Sequence, residues 1–475
     1  MPDTARDGAP RAGFRTIALI IATAMFMEQL DITILATALP AMARDFGTSA
    51  PNLSLAMTSY LLSLAIFIPV SGRVADRFGA RTVFRAAIVV FIVGSALCSL
   101  ANGLASIVAA RLLQGLGGAM MMPVGRLILL RSVDKRDMVA ATSWLLVPAL
   151  IGPIIGPPLG GFIVTYLDWR WIFYINVPIG LLGLVLASRY IPNLREPPLP
   201  GSRFDGFGMA LSGIALGSLF FAAELASREG EGLVALGLAA VGLIFGAIYL
   251  RHARRHPSPI LDVTLMRIPT FRLSVISGSL TRITQGAHPF LLPLMFQLSF
   301  GLTAAKAGTM ILATALGAML MKALAPGLLR RFGFRACLTV NGTACALCYG
   351  ACAFFTPAWP EWAIFVVLVV SGLSMSLQFT ALNTVAYDEV SAARMSAATS
   401  FYTTFQQLML SAGVCVAASV LHIGMTLGDR DAPAQGDFTA AFLTVAAISL
   451  LAIVWNRRLA PDAGSEISGH HLRDR

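Results

Sequence analysis

The residues of this chain able to do chemistry stand inside stretches that are otherwise apolar: Glu28 and Asp31 in the run 17–38, Arg111 in 107–130, Arg282 in 272–299 and Lys322 in 304–328. A charge at the centre of such a stretch costs roughly 2.5–3.5 kcal/mol on insertion scales, so its default reading is functional. Glu28 and Asp31 are three residues apart and share one helix face. Two carboxylates side by side in a poorly hydrated cavity cannot both ionise cheaply. The pair therefore reads as a proton carrier whose occupancy depends on the direction in which the cavity opens. Arg111 precedes Arg131 by 20 residues, which sets it at a depth compatible with Asp31. Contact between Arg111 and Asp31 would let protonation release the arginine; a static pair would only lock two helices together.

Bilayer-spanning helices must position these groups. Hydrophobic residues make up 56% of the sequence and charged ones 12%, against roughly 25% charged in soluble domains. Fourteen apolar runs, from 17–38 to 438–456, are bounded by charge, Pro or Gly, each near the ~20 residues that a crossing needs. Of 35 Lys and Arg, 26 fall on the side of the two termini and five on the other (Arg44, Arg170, Arg228, Lys306 and Arg430). That imbalance places both termini in the cytoplasm, so the net charge of +11 sets topology and does not imply nucleic acid. Glu28 and Asp31 would spoil the core of a cleavable signal, which makes the first run a retained helix. Trp169, Trp171, Trp359 and Trp362 are expected at the outer interface.

Enzyme chemistry finds no foothold. None of the three lysines (Lys135, Lys306, Lys322) is followed by Ser or Thr, which excludes a GxxxxGKS/T nucleotide loop. His288 and His422 lie toward the outer ends of their runs without a nucleophile, while His252 and His256 fall in a cytosolic segment and read as solvated. Cys345 and Cys348 form a C-x-x-C pair, but on a membrane helix they read as small apolar packing. Neither a cofactor nor a metal is expected. The lack of a sizeable soluble loop likewise argues against a sensor.

The chain also repeats itself. Gly72-Arg-Val-Ala-Asp76-Arg77-Phe-Gly79-Ala-Arg81 follows the second run, and Pro326-Gly-Leu-Leu-Arg330-Arg-Phe-Gly333-Phe-Arg335 follows the tenth. Both contain Arg-Phe-Gly-x-Arg, at an offset of 254 residues. Six spans, an inserted pair and six more spans give that offset: 1–200 as an N-terminal six-helix bundle, 201–270 as two inserted helices with a linker, and 271–475 as a C-terminal bundle with a short tail. Parallel repeats place a substrate site near the midplane between the halves. The offset pairs Glu28 with Arg282 and Asp31 with Gln285; Glu28 and Arg282 either form a state-dependent pair across the cavity or are satisfied separately. Gly72 and Gly79 permit a tight turn, and Asp76 suits a helix cap or an arginine such as Arg131. Gly152, Gly156 and Gly160 form a small-xxx-small seam, to which Pro153, Pro157 and Pro158 add a bend.

Taken in order, these motifs resemble the major facilitator superfamily, specifically its fourteen-span drug:proton antiporters of the EmrB/QacA type. Leu30-Asp31-Ile-Thr33-Ile-Leu-Ala-Thr-Ala38-Leu39-Pro40 is similar to the first-span signature, Gly72 to Arg81 to the loop motif, and Arg111-Leu-Leu-Gln114-Gly115-Leu-Gly117-Gly118 to the fourth-span motif. Gly152-Pro153-Ile-Ile-Gly156-Pro157-Pro-Leu-Gly160-Gly161 resembles the antiporter motif, and Trp169 to Gly180, with Asn176 and Pro178, a further hallmark. The resemblance covers nearly the whole chain and is strongest to the MdtD-like branch, through Gly118–Leu127 and the Lys322 region.

This resemblance implies an all-α polytopic membrane protein with the major facilitator fold: two six-helix bundles plus two inserted helices, fourteen in all. It implies a monomeric exporter in the bacterial inner membrane, not an enzyme, whose partners are a small molecule, protons and the bilayer. Asp31, Glu28 and Arg111 would couple protons, and Gly72, Asp76, Arg77, Gly79 and Arg81 would form a gating loop. Gly152, Pro153, Gly156, Pro157, Gly160 and Gly161 would form the antiporter motif, and Glu28, Gln114, Arg282, Gln285 and Lys322 would line the substrate cavity. Glu28 suits cationic drugs. Arg282 and Lys322, facing the cavity together, would suit an organic anion such as citrate or its metal chelate; Lys322 reads alternatively as snorkelling to the cytosolic side. Glu224 receives no role.

Overall fold

In lipid, apolar runs of this length satisfy their backbone as helices. The computed structural model describes residues 14–132, 138–192, 205–226, 231–257, 259–391 and 394–470, and contains no strand among them. In chain order come α1 (Phe14–Asp45), α2 (Ser54–Phe78), α3 (Ala80–Ser99), α4 (Leu104–Ser132), α5 (Met138–Tyr166), the short α6 (Trp171–Tyr174) leading into α7 (Asn176–Tyr190), α8 (Gly206–Leu225) and α9 (Gly232–Ala253). Then follow α10 (Pro269–Leu294), α11 (Ala304–Cys352), α12 (Glu361–Val385), α13 (Met395–Leu427) and α14 (Gln435–Asn456). Among the described residues, eleven helices are long and apolar enough to cross a membrane, and Ile151–Tyr166 of α5 is a shorter apolar stretch. α11 supplies two crossings, because its backbone leaves the helical region at Gly333 (φ 73°, ψ 166°). Counting the shorter stretch of α5 and α10, whose serines, threonines and Arg282 dilute its apolar character, gives fourteen crossings among the described residues.

The break at Gly333 has a twin. Gly79, between α2 and α3, takes φ 90° and ψ 132°, again a conformation that costs an L side chain dearly. Both glycines hold the same place in Arg-Phe-Gly-x-Arg, so the repeat seen in the sequence is a repeat of backbone conformation.

In a bilayer, helix association rests on close packing and polar contacts, with little hydrophobic drive between helices. Small residues accordingly line the tightest seams. A Cβ at Gly117 of α4 would stand 2.6 Å from Phe91 N of α3, and one at Gly118 2.5 Å from Tyr60 Oη of α2. On α5, a Cβ at Gly156 or Gly160 would meet Thr33 Oγ1 at 2.0 Å or Thr37 Oγ1 at 2.5 Å on α1. α1, α2, α3, α4, α5 and α7 pack together, as do α10 to α14. The two groups meet where α5 lies on α11 and α2 on α13, while α8 and α9 pack chiefly on each other, with α8 also touching α2 and α13.

The halves close on each other at the end opposite the termini. There Gln297 Nε2 donates to Thr37 O at 3.1 Å, Ala305 N to Thr165 Oγ1 at 2.9 Å, and a shared apolar core joins Leu39 and Met42 to Leu294 and Phe296. Trp169 belongs to this closed end and not to an exposed aromatic belt: it is 3% exposed, and its Nε1 donates to Asp45 Oδ2 at 2.7 Å. Trp171 and Trp362 are exposed as expected.

Candidate functional site

α1 carries Glu28 and Asp31 into the middle of the N-terminal bundle, where both are buried. Asp31 is the meeting point of helices that approach closely because Gly94, Gly115 and Gly117 lack side chains. Its Oδ2 accepts from Arg111 Nη1 of α4 at 2.5 Å. Its Oδ1 accepts from Gln114 Nε2 of α4 at 2.8 Å and from Asn176 Nδ2 of α7 at 3.0 Å. Ser95 Oγ of α3 accepts from the same two amides, at 2.7 and 3.0 Å. Arg111 is fixed in turn by Ala56 O of α2 at 3.0 Å and Gln114 Oε1 at 2.6 Å, with its guanidinium 4.5 Å from the centre of the Tyr60 ring. A buried ion pair is tolerable only when its remaining donors and acceptors are met. Here five helices meet them.

Sequence depth alone pointed to the Asp31–Arg111 contact. Asn176, Ser95 and Tyr60 were not assigned a place in it. Gln114, expected on the cavity wall, is fully buried and serves Asp31 and Arg111 instead. Glu28, one turn before Asp31, has its Oε2 buried without a hydrogen-bond partner.

The C-terminal half holds a second buried charge. Arg282 of α10 is 3% exposed, and its Nη2 reaches only neutral oxygens, Asn383 Oδ1 at 3.3 Å and Gln406 Oε1 at 3.2 Å. Its guanidinium lies 4.7 Å from the Tyr402 ring centre and 5.7 Å from that of Phe379. Glu28 and Arg282 are not paired with each other in this conformation, and no acidic group among the described residues neutralises Arg282. Gln285 is buried and reaches Met375 O at 3.4 Å. Lys322 is exposed among exposed Met319, Leu320 and Leu324, a setting that matches the snorkelling alternative.

At the end that carries the termini, Asp76 Oδ1 accepts from Arg131 Nη2 at 2.9 Å, and Arg81 donates to Ser188 O. Among the described residues, Arg77 stacks on its neighbour Phe78. Of the two glycines expected to make the turn, Gly79 alone does so. Gly72 lies within α2 with open space around the position of a Cβ. In the antiporter motif, Gly152, Gly156 and Gly160 face α1, whereas Gly161 faces α11 across the seam: a Cβ there would stand 2.2 Å from Ala304 O. The helix is unbroken through Pro153 and Pro157.

Two related helical halves closed at one end, with buried charge in each, form the architecture of a membrane transporter. Residues 21–414 match the family model described as Major Facilitator Superfamily, and the chain belongs to that family. Probable transport protein HsrA of Haemophilus influenzae is 34% identical over 445 residues, covering 93% of this chain and 95% of the relative. Putative multidrug resistance protein MdtD of Salmonella heidelberg is 36% identical over 415 residues, covering 86% and 87%. Two solved structures share the fold. An auto-inhibited POT family peptide transporter has TM-score 0.65 at 17% identity, covering 94% of this chain and 97% of its own. The nucleoside transporter NupG has TM-score 0.60 at 16% identity, covering 93% and 98%.

Proposed function

We propose that this transporter is a proton-coupled antiporter that exports drugs or other toxic small molecules by alternating access. It would work as a monomer in the bacterial inner membrane, with both termini in the cytoplasm. The observation that carries the reading is the Asp31 network. As an anion, Asp31 holds Arg111, Gln114 and Asn176 in one arrangement; protonation cancels its charge and releases Arg111, loosening α1 from α4. Glu28 supports the same reading, as a second carboxyl buried one turn from Asp31 with Oε2 lacking a hydrogen-bond partner. The closed seam at Thr37, Thr165, Gln297 and Ala305 supports a conformation open toward the termini; at that open end Asp76–Arg131 ties α2 to α4 within the N-terminal half. A potential of 100 mV supplies about 2.3 kcal/mol per charge moved, a gradient of roughly 50-fold per proton.

A second reading of the substrate has its own observation. Arg282 is buried with neutral partners only, so a carboxylate-bearing substrate such as citrate or its metal chelate would meet an uncompensated cation. The deciding experiment is pH-gradient dissipation in everted vesicles energised by respiration, comparing wild type with Asp31→Asn. Dissipation by ethidium that disappears in the variant is expected. Dissipation by citrate alone, lost in Arg282→Gln, would transfer the assignment to an organic anion. Equal response of wild type and Asp31→Asn would remove Asp31 from the coupling site.

A further inference from the structure

The inserted pair carries a cluster that the transport path does not use. Asp205 caps the N-terminus of α8 and is 3% exposed. Its Oδ1 accepts from the Gly208 N–H at 2.8 Å and lies 2.7 Å from Nε2 of His252 in the last turn of α9. His256 follows four residues later, its ring 5.2 Å from that of His252. One side-chain donor atom from each of Asp205, His252 and His256 lies within 4.8 Å of the other two. The two histidines that the sequence presents as solvated are thus gathered against a buried carboxylate.

The second oxygen of that carboxylate gives the cluster a direction. A helix cap uses one acceptor oxygen, and Oδ1 fills that role. Oδ2 is buried with no hydrogen-bond partner. Gly208 makes room for it, since a Cβ there would stand 2.2 Å from Oδ2. Two imidazole nitrogens and a carboxylate oxygen, offered by two helix ends, are the donor set of a first-row transition-metal dication with coordination positions left for water.

We propose that Asp205, His252 and His256 bind a transition-metal dication of the zinc and cobalt kind at the face of the inserted pair that carries the chain termini. Oδ2 is the carboxylate donor while Oδ1 keeps the helix cap, and the His252 ring turns from the carboxylate to the ion. Arg251, Arg254 and Arg255 stand at the same end of α9, so the ion binds there through its donor atoms against a basic background. The ion ties the start of α8 to the end of α9. Tyr249 and Ala253 of α9 pack with Leu261, Leu265 and Phe271, and Tyr249 Oη bonds both the N–H and the C=O of Leu261. Metal binding would therefore stiffen the joint between the inserted pair and the C-terminal bundle.

The test is titration of Co²⁺ into the full-length protein, purified in detergent without a polyhistidine tag. The expected result is a set of ligand-field bands that saturate at a single Co²⁺ per chain and are displaced by Zn²⁺. His252→Ala and His256→Ala should abolish them, and Gly208→Ala, which crowds Oδ2, should weaken affinity roughly 10–100-fold, as changes to groups that orient a metal ligand do. His252→Cys should retain binding and add a thiolate-to-cobalt charge-transfer band, a signature that a merely structural histidine would not give. Metal-free melting temperature and elution of each variant show whether it is folded. Equal binding by wild type and the alanine variants, as tail histidines such as His470 would produce, overturns the proposal. So does the absence of a saturable band in folded wild-type protein.

Discussion

An aspartate inside a bilayer is either neutralised by a partner or protonated, and Asp31 is arranged so that each state has structural consequences. Removing Arg111 alone leaves a buried anion without its cation, which for such pairs costs about 3–5 kcal/mol. Arg111→Gln should therefore lower thermal stability markedly, and Asp31→Asn in the same background should recover most of the loss. Neither protein should couple substrate flux to protons. A double variant that restores stability and also dissipates the pH gradient would reduce the pair to a static lock between α1 and α4. Outside the spans, Asp262 offers a pH-dependent counterpart. Burial pushes its carboxyl up, but the Thr264 hydroxyl and N–H and the Arg394 guanidinium outweigh this and hold it below the usual range. Its stabilisation is complete above the ordinary carboxylate value of ~3.9 and is lost as the pH falls through the lowered one. Asp262→Asn should cost about 1 kcal/mol at neutral pH, and its melting difference from wild type should shrink in acid. Asp31 and Arg111 were legible in the sequence because ionised groups contrast with an apolar run. Ser95, Asn383 and Gln406 were not, since neutral polar residues are common enough in membrane helices to give no contrast, and Asn176 stood out only as part of a motif, not as a partner of Asp31.

At the scale of elements, the glycines of α5 let α1 approach it closely along Thr33 and Thr37. Thr33 Oγ1 turns back onto its own helix, donating to Gln29 O at 2.9 Å, and Gly156 lies directly against it. Gly156→Ala would place a Cβ 2.0 Å from that oxygen, an overpacking expected to cost about 1–3 kcal/mol. Thr33→Ala should relieve most of it, and thermal melts of the single and double variants would measure the recovery. An unchanged melt in Gly156→Ala would mean that α5 can slide away from α1 without penalty. The small-xxx-small spacing announced this seam, although spacing alone left open which helix it faces. Gly72 and Gly79 show the converse limit. The motif was visible, but only φ and ψ distinguish a glycine that makes a turn from one lying in a helix. The division of α11 was readable from its charges, because Arg330, Arg331 and Arg335 mark where the chain returns to the interface.

At the scale of the molecule, the two halves are hydrogen-bonded across a seam at the end opposite the termini, and the alternating access proposed above requires that seam to part. Thr165 and Ala305 sit on opposite sides of it, joined by a 2.9 Å hydrogen bond. Thr165→Cys combined with Ala305→Cys should form a disulfide on oxidation, abolish transport by at least roughly tenfold and regain it on reduction. The single variants should be indifferent to oxidant. Transport that persists in the crosslinked protein would rule out parting at this seam. The halves also preserve different parts of a common plan. Gly79 and Gly333 both keep a left-handed φ, yet Asp76, which pairs with Arg131, has Arg330 at the matching place. The carboxylate can be exchanged because the second half lives without that latch, whereas no other side chain takes φ 73° without strain. Comparing the chain with itself thus separates what its halves share from what they do not: the bend of the main chain stands in both, while the carboxylate–arginine tie stands in only one of the two matching loops.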